Sequence, residues 1–244
     1  MEREGRKKLL DRGLALLFPG RLYCGCCGNL IDGSRPYGLC DHCIQRMKWD
    51  RGPVLKERGF AMIRCAEYGI YERSLIFSLK YSGKRYLARD LGAMMADRLR
   101  FAGLAGDLII PVPLHIEKER DRGFNQCALI GRYLGEALEI PQAEDALVRV
   151  RATRPMRGLS PRERRENIRG SIRLNPDRVP EIQGKKVILV DDFATTGATA
   201  REACRALREA APADILFYAF AAKYGEALAG RDRRRNLTSI SPET

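Results

Sequence analysis

The chain has 244 residues, enough to bury a full core and to form one main domain with a small addition. Lys+Arg 44 against Asp+Glu 31 give a formal charge of +13, so the protein is expected to meet anions. No apolar run approaches the length of a bilayer-crossing helix, which excludes a transmembrane segment of that kind.

Residues 1–20 begin with basic residues and continue with Leu9, Leu10, Leu14, Leu16, Leu17 and Phe18. Asp11 and Arg12 interrupt the apolar run and no small-residue cleavage site follows, so the stretch does not read as a signal peptide. It reads as an amphipathic helix that packs on the protein or a partner, with membrane contact as the weaker alternative. The expected compartment is the cytoplasm, where thiols stay reduced.

Residues 21–50 hold Cys24-x2-Cys27, twelve intervening residues, and Cys40-x2-Cys43. Two such turns let four thiolates converge on Zn2+ in a ribbon. Redox CxxC pairs are the competing reading, but no strand–helix unit surrounds them. Cys26 and His42 are alternative ligands. A module of about thirty residues cannot fold on its own apolar burial, so the metal would supply its stability.

Residues 51–106 read as a β-rich hood with a linker and a helix. Arg51 to Lys56, with Gly52-Pro53, is the linker; Ala61 to Ala66 and Leu75 to Leu79 are the short strands, joined near Tyr68-Gly69. Lys80-Tyr81-Ser82-Gly83-Lys84 is a basic turn that either touches phosphate or is simply solvated. Leu87, Leu91, Met94, Met95 and Leu99 mark one face of a helix.

The core is expected over residues 107–228. Asp107 to Val112 reads as a buried strand, followed by a charged loop, Arg122-Gly123-Phe124-Asn125-Gln126, and a helix through Leu138. Arg122 and the following amides, with Gly123, Asn125 and Gln126, are placed to hold an anion; the alternative is an Arg and a Gly at an ordinary helix start. From Arg149 to Arg173 nine arginines face only Glu163 and Glu166, a net +7. Thr153, Pro155, Ser160-Pro161 and Asn167 break any long helix here. Three readings stay open for this segment: a lid over the site, a nucleic-acid contact through Arg154, Arg162, Arg164 and Arg165, or a solvated charge run.

The chemistry concentrates at Lys186 to Thr199. Val187 to Val190 reads as a strand buried on both faces, ending in Asp191-Asp192 at the sheet edge where open α/β sheets hold ligands. Ala194, Thr195, Thr196, Gly197, Ala198 and Thr199 then form a small, hydroxyl-rich loop at a helix N-terminus, suited to a phosphate. The acids are placed to accept from vicinal sugar hydroxyls or to hold Mg2+ through water. The helix runs to about Ala210, a buried strand follows over Ala213 to Ala221, and residues 229–244 read as a disordered tail. Cys65, Cys127 and Cys204 read as small core residues.

The stretch from Val190 to Thr199 resembles the ribose-phosphate signature of the type I phosphoribosyltransferases, which bind phosphoribosyl pyrophosphate (PRPP). Around it stand Leu16-Leu17-Phe18-Pro19, the four cysteines, Lys80-Tyr81-x-Gly83, Pro111-Val112-Pro113-Leu114, Arg122 to Gln126 and Arg149-x-Arg151-x-Thr153. In that order the set resembles the ComF family of bacterial phosphoribosyltransferase-like proteins, tied to natural competence and DNA uptake. The resemblance covers about residues 9–222. It implies a type I phosphoribosyltransferase fold, a mainly parallel twisted sheet flanked by helices, with an N-terminal zinc ribbon. It also implies PRPP with Mg2+ as ligand, and single-stranded DNA and a competence-machinery protein as partners. Pro155-Met156 stands where the family often has Gln, and Ile172 where it has an aromatic. Thr195 replaces the loop carboxylate of purine-salvage relatives, so no general acid or base is visible and the phosphoribosyl acceptor stays open.

Overall fold

The computed structural model describes residues 22–153 and 158–223. The expected N-terminal helix at 1–20, Arg154 and the tail at 229–244 lie outside the described residues. The chain divides after Met47 into two compact units.

In the first unit an antiparallel bridge between Tyr23 and Leu30 folds the chain back across the first cysteine pair. The Cys24 amide donates to the Asn29 carbonyl at 2.7 Å, closing the turn. Cys40 stands as the N-cap of helix α1 (Asp41–Arg46), and Cys43 is buried on that helix.

The second unit is built on a five-stranded sheet in the order β1-β2-β7-β6-β3. The strands are β1 (Leu55–Glu57), β2 (Phe60–Glu67), β3 (Leu108–Pro111), β6 (Lys186–Ala194) and β7 (Asp214–Ala222). All neighbouring pairs are parallel except β1 with β2. Trp49 extends the sheet's reach through an antiparallel bridge to Ala66. Val187 to Val190 are almost wholly buried, as a central parallel strand covered on both faces requires. The mainly parallel α/β sheet expected from the sequence is therefore the one observed.

Helices α2 (Ile70–Tyr81), α3 (Leu87–Ala102), α4 (Ile116–Arg122), α5 (Gln126–Leu138) and α8 (Ala198–Leu207) flank this sheet, with a short α7 (Val179–Ile182) before β6. Ala200, Ala203, Cys204 and Leu207 form the buried face of α8, and the small side chains let its axis lie close to the strands. A second, two-stranded antiparallel sheet pairs β4 (Leu147–Arg149) with β5 (Ile172–Leu174). Between them lies α6 (Pro161–Ile168), so the arginine-rich segment leaves and returns at adjacent strands.

Four local expectations are corrected. Residues 75–79 belong to helix α2, not to a strand: Glu72, Leu75, Ile76 and Leu79 form its buried face at helical spacing. Glu72 hid that period, since a carboxylate stands at a core position, where its Oε1 accepts from the Lys48 amide at 2.7 Å. The charged stretch after His115 is helix α4, which buries no side chain and so carries no apolar period. Part of the supposed linker forms β1. Ser160-Pro161 starts a helix instead of breaking one: Ser160 accepts from the Glu163 amide, the Glu163 carboxylate accepts from the Ser160 amide, and Pro161 sits in the first turn.

Candidate functional site

Asp191 and Asp192 are strand residues of β6, and Asp191 pairs in register with Ala219 of β7. On the other side β3 has already ended, its last pairing being Pro111 with Val190. The acids thus lie where β6 overhangs its neighbour, at the C-terminal edge of the parallel strands. Asp191 Oδ1 accepts from the Asp192 amide at 2.9 Å and from the Cys127 thiol at 3.4 Å. Asp192 forms an ion pair with the Lys80 ammonium at the end of α2. Burial, and next the charge of Asp192, push the Asp191 carboxyl up to about 7. Burial works against the Lys80 charge, but the adjoining Asp192 outweighs it and holds the ammonium above the ordinary lysine value.

On one side of the acids the chain turns through Thr195 and Thr196 into Gly197, the N-cap of α8. Gly197 has φ +68°, a left-handed conformation in which a Cβ would be strained. The Arg201 guanidinium braces the turn by donating to the Thr196 carbonyl at 2.7 Å. Arg164, reaching from α6, donates to Thr195 Oγ1 at 2.9 Å. The loop is one wall of a cleft of about 520 Å³. Aromatic rings form the facing walls: Tyr68 lies 4.2 Å from Phe193 and Phe77 lies 5.5 Å from Tyr81, centroid to centroid. The Arg73 guanidinium stands over the Phe77 ring at 5.0 Å.

Both acids line a second cavity, of about 200 Å³, with Lys118, Arg149, Gln126 and Thr153. Burial, then Arg149, Arg122 and Lys80, hold the Lys118 ammonium below its ordinary value, so cations crowd this cavity. Arg149 donates to Thr153 Oγ1 at 2.6 Å, while its buried Nε has no hydrogen-bond partner among the described residues. Crowded cations with an unused donor are the chemistry that suits an anion. Lys80, Phe193 and Thr199 line both the cleft and the cavity.

Of the residues expected to grip an anion after β3, Gln126 reaches the cavity wall. Arg122 instead bonds to Gln126 Oε1 and lies over the Tyr81 ring at 5.3 Å. Asn125 is the N-cap of α5, accepting from the Cys127 amide at 3.0 Å and donating to the Val112 carbonyl at 3.1 Å. Gly123 closes α4 in the left-handed conformation, φ +80°. Asn125 and Gly123 therefore shape the loop without facing the cavity. Lys118 and Arg149 are the cavity cations that sequence reasoning did not single out. Arg149 opens the Arg-x-Arg-x-Thr run, a signal that was present; Lys118 sits in an unpatterned charged stretch. Arg162 and Arg165 are exposed, Arg162 pairing with Glu166 at 3.0 Å.

In the first unit the sulfurs of Cys24, Cys27, Cys40 and Cys43 lie within 4.8 Å of one another. Cys27 and Cys40 sulfurs are 3.6 Å apart, and the Cys40 amide points at Cys24 Sγ from 3.4 Å. Burial would raise the Cys24 thiol, but the amides of Cys27, Cys40 and Cys26 outweigh it and bring it down to about 7. Four convergent soft donors, one of them eased toward thiolate, fit a thiophilic ion such as Zn2+. Cys26 and His42 stand outside this group.

Residues 146–242 match the phosphoribosyl transferase domain family. Competence protein F of Haemophilus influenzae is 30% identical over 205 residues, covering 82% of this chain and 84% of that protein. The DNA utilization protein YhgH of Escherichia coli O157:H7 is 31% identical over 190 residues, 75% of this chain and 77% of the relative. Among solved structures, the glutamine phosphoribosylpyrophosphate amidotransferase of B. subtilis is 20% identical with a TM-score of 0.37. That likeness covers 54% of this chain and only 25% of the amidotransferase. Identity of 30% over 82% of this chain and 84% of that relative makes this protein a member of the competence protein F (ComF) family, with a phosphoribosyltransferase fold.

Proposed function

We propose that the site binds PRPP together with Mg2+ in the cytoplasm and serves a competence or DNA-utilization process. The observation that carries this reading is a cation-lined cavity that holds both carboxylates and shares Lys80, Phe193 and Thr199 with the cleft walled by the hydroxyl-rich loop. A 5′-phosphate would take the amides and hydroxyls from Ala194 to Thr199, at the positive end of α8. The pyrophosphate would take Lys118, Arg149 and Gln126, and the ribose hydroxyls would meet Asp191 and Asp192. Mg2+ suits the oxygen donors of the acid pair, and when bound it neutralises charge on the pyrophosphate.

In transfer, an acceptor's lone pair forms the bond to ribose C1 while the C1–O bond to pyrophosphate breaks, through an oxocarbenium-like state. This chain's residues would supply orientation and fixed positive charge around the leaving group. The loop offers Thr195 where a proton-transferring carboxylate would stand, so acceptor activation has no evident residue. The four-cysteine unit would hold structural Zn2+. Calorimetric titration of PRPP in Mg2+ tests the reading, with a parallel assay of pyrophosphate release across nucleobases. Binding should be lost in the Asp191→Asn, Asp192→Asn double variant; absence of any PRPP binding by the wild type refutes the proposal.

A second reading, direct binding of single-stranded DNA, is favoured by one observation: the cleft pairs aromatic rings with arginines, the combination that stacks and neutralises single strands. The exposed arginines of α6 would add phosphate contacts, and a protein of the competence machinery would be a natural partner. DNA affinity should fall with salt and fall further when Arg162, Arg164 and Arg165 become Ala; an affinity that ignores both changes sinks this second reading.

A further inference from the structure

Lys80 holds a position that the proposed ligand needs. Its side chain lines both the cleft and the cavity, and its ammonium is paired with Asp192. A sugar that carries one phosphate in the cleft and another in the cavity must pass the acid pair, where that ammonium now sits. Asp191 and Asp192 are 6% and 3% exposed, so the empty site would otherwise hold adjacent buried carboxylates with little compensation. Apart from Lys80, the cation around this cavity that acts on Asp191 is Arg149, and it donates its Nη2 elsewhere, to Thr153.

We infer that Lys80 is an internal counter-ion that stands in for the divalent cation in the free protein and is exchanged for it when ligand binds. The inference rests on the reading of the acid pair as a Mg2+ site. In the exchange the ammonium leaves Asp192, the metal takes the carboxylate, and Lys80 is released toward the phosphate groups that arrive with the metal. No charge is left buried without a partner at either stage. Metal alone must evict Lys80 with nothing to receive it, so it binds poorly; metal and phosphate ester together bind well. Lys80 is thus a positioning residue that makes metal and ligand uptake mutually dependent. The effect has a path beyond the acids. Arg73, Phe77, Lys80 and Tyr81 lie on one face of α2 and all line the cleft, so moving Lys80 disturbs the aromatic wall.

Mn2+ binding to the protein with no phosphate ligand present, followed by electron paramagnetic resonance, tests this. Lys80→Met should bind Mn2+ about tenfold more tightly than wild type, and Lys80→Arg should stay near the wild-type value. The Lys80→Met, Asp192→Asn pair, which removes both charges and leaves neither buried alone, should lose the gain. Equal or weaker Mn2+ affinity in Lys80→Met overturns the inference. Should that variant not fold, the wild-type Lys80 Cε resonance decides: it must shift as diamagnetic Mg2+ saturates the site, and an unmoved signal overturns the exchange. PRPP titration of the wild type separates the two ideas. Binding of PRPP with no metal gain in the variant rejects the exchange alone, and a metal gain without PRPP binding keeps the exchange while rejecting the ligand.

Discussion

Asp191 is a carboxyl group whose surroundings favour its neutral form. Its pKa is raised in the folded chain to about 7, from an ordinary 3.8. Between those values the native state holds a proton that the unfolded chain has released, so the acid's contribution to stability is complete below about pH 4 and is lost as pH rises toward 7. The expected slope from this one group is about 1.4 kcal/mol per pH unit across that window. Asp191→Asn should flatten it and raise stability at pH 8, measured by urea unfolding at a series of pH values. The same substitution is expected to abolish ligand binding, a conflict between stability and function that marks residues kept for chemistry. The acid pair was legible in the sequence because the contiguous run from Val190 to Thr199 carries its own local geometry. Lys118 was not, and the motif that begins at Arg149 did not say what it faces, because the packing of α4 and β4 around one cavity makes the two neighbours.

Arg164 shows how an element delivers a residue. It can reach Thr195 only while α6 is formed, and the first turn of α6 depends on the reciprocal bonds between Ser160 and Glu163. The helix is further tied down where the Gly170 amide donates to Glu202 of α8 at 2.8 Å. Ser160→Ala should cost about 1 kcal/mol of local helix stability. The expected readout is faster amide exchange confined to α6, with phosphate-ligand affinity reduced roughly fivefold, since 1.4 kcal/mol is tenfold. The signal for this helix, a serine three residues before a glutamate, was present in the sequence but overshadowed by Pro161, which reads as a breaker unless its place in the first turn is recognised. Helix α2 was obscured by the opposite cause: Glu72 occupies a core position, and only the partner amide of Lys48, distant in sequence, makes that tolerable. Strands β4 and β5 are three residues each, too short to carry a period.

Across the whole molecule, the sheet was the most legible part, because strands buried on both faces are written as continuous apolar runs. The division after Met47 separates a unit that gathers four cysteine sulfurs from one built on a packed sheet. Binding a structural metal contributes on the order of 10 kcal/mol to such a small module. Removal of metal by a strong chelator is therefore expected to abolish one transition in scanning calorimetry and leave the other in place; a single transition that shifts as a whole would show that the two units melt together. The chain has one tryptophan, Trp49, and it lies in the second unit, bridged to Ala66 at the end of β2. Indole emission accordingly reports on the sheet unit, and with Zn2+ bound as proposed, ultraviolet absorption by sulfur-to-metal charge transfer would report on the cysteine unit. Were both signals present, the fates of the two units could be followed in one cuvette without any added dye.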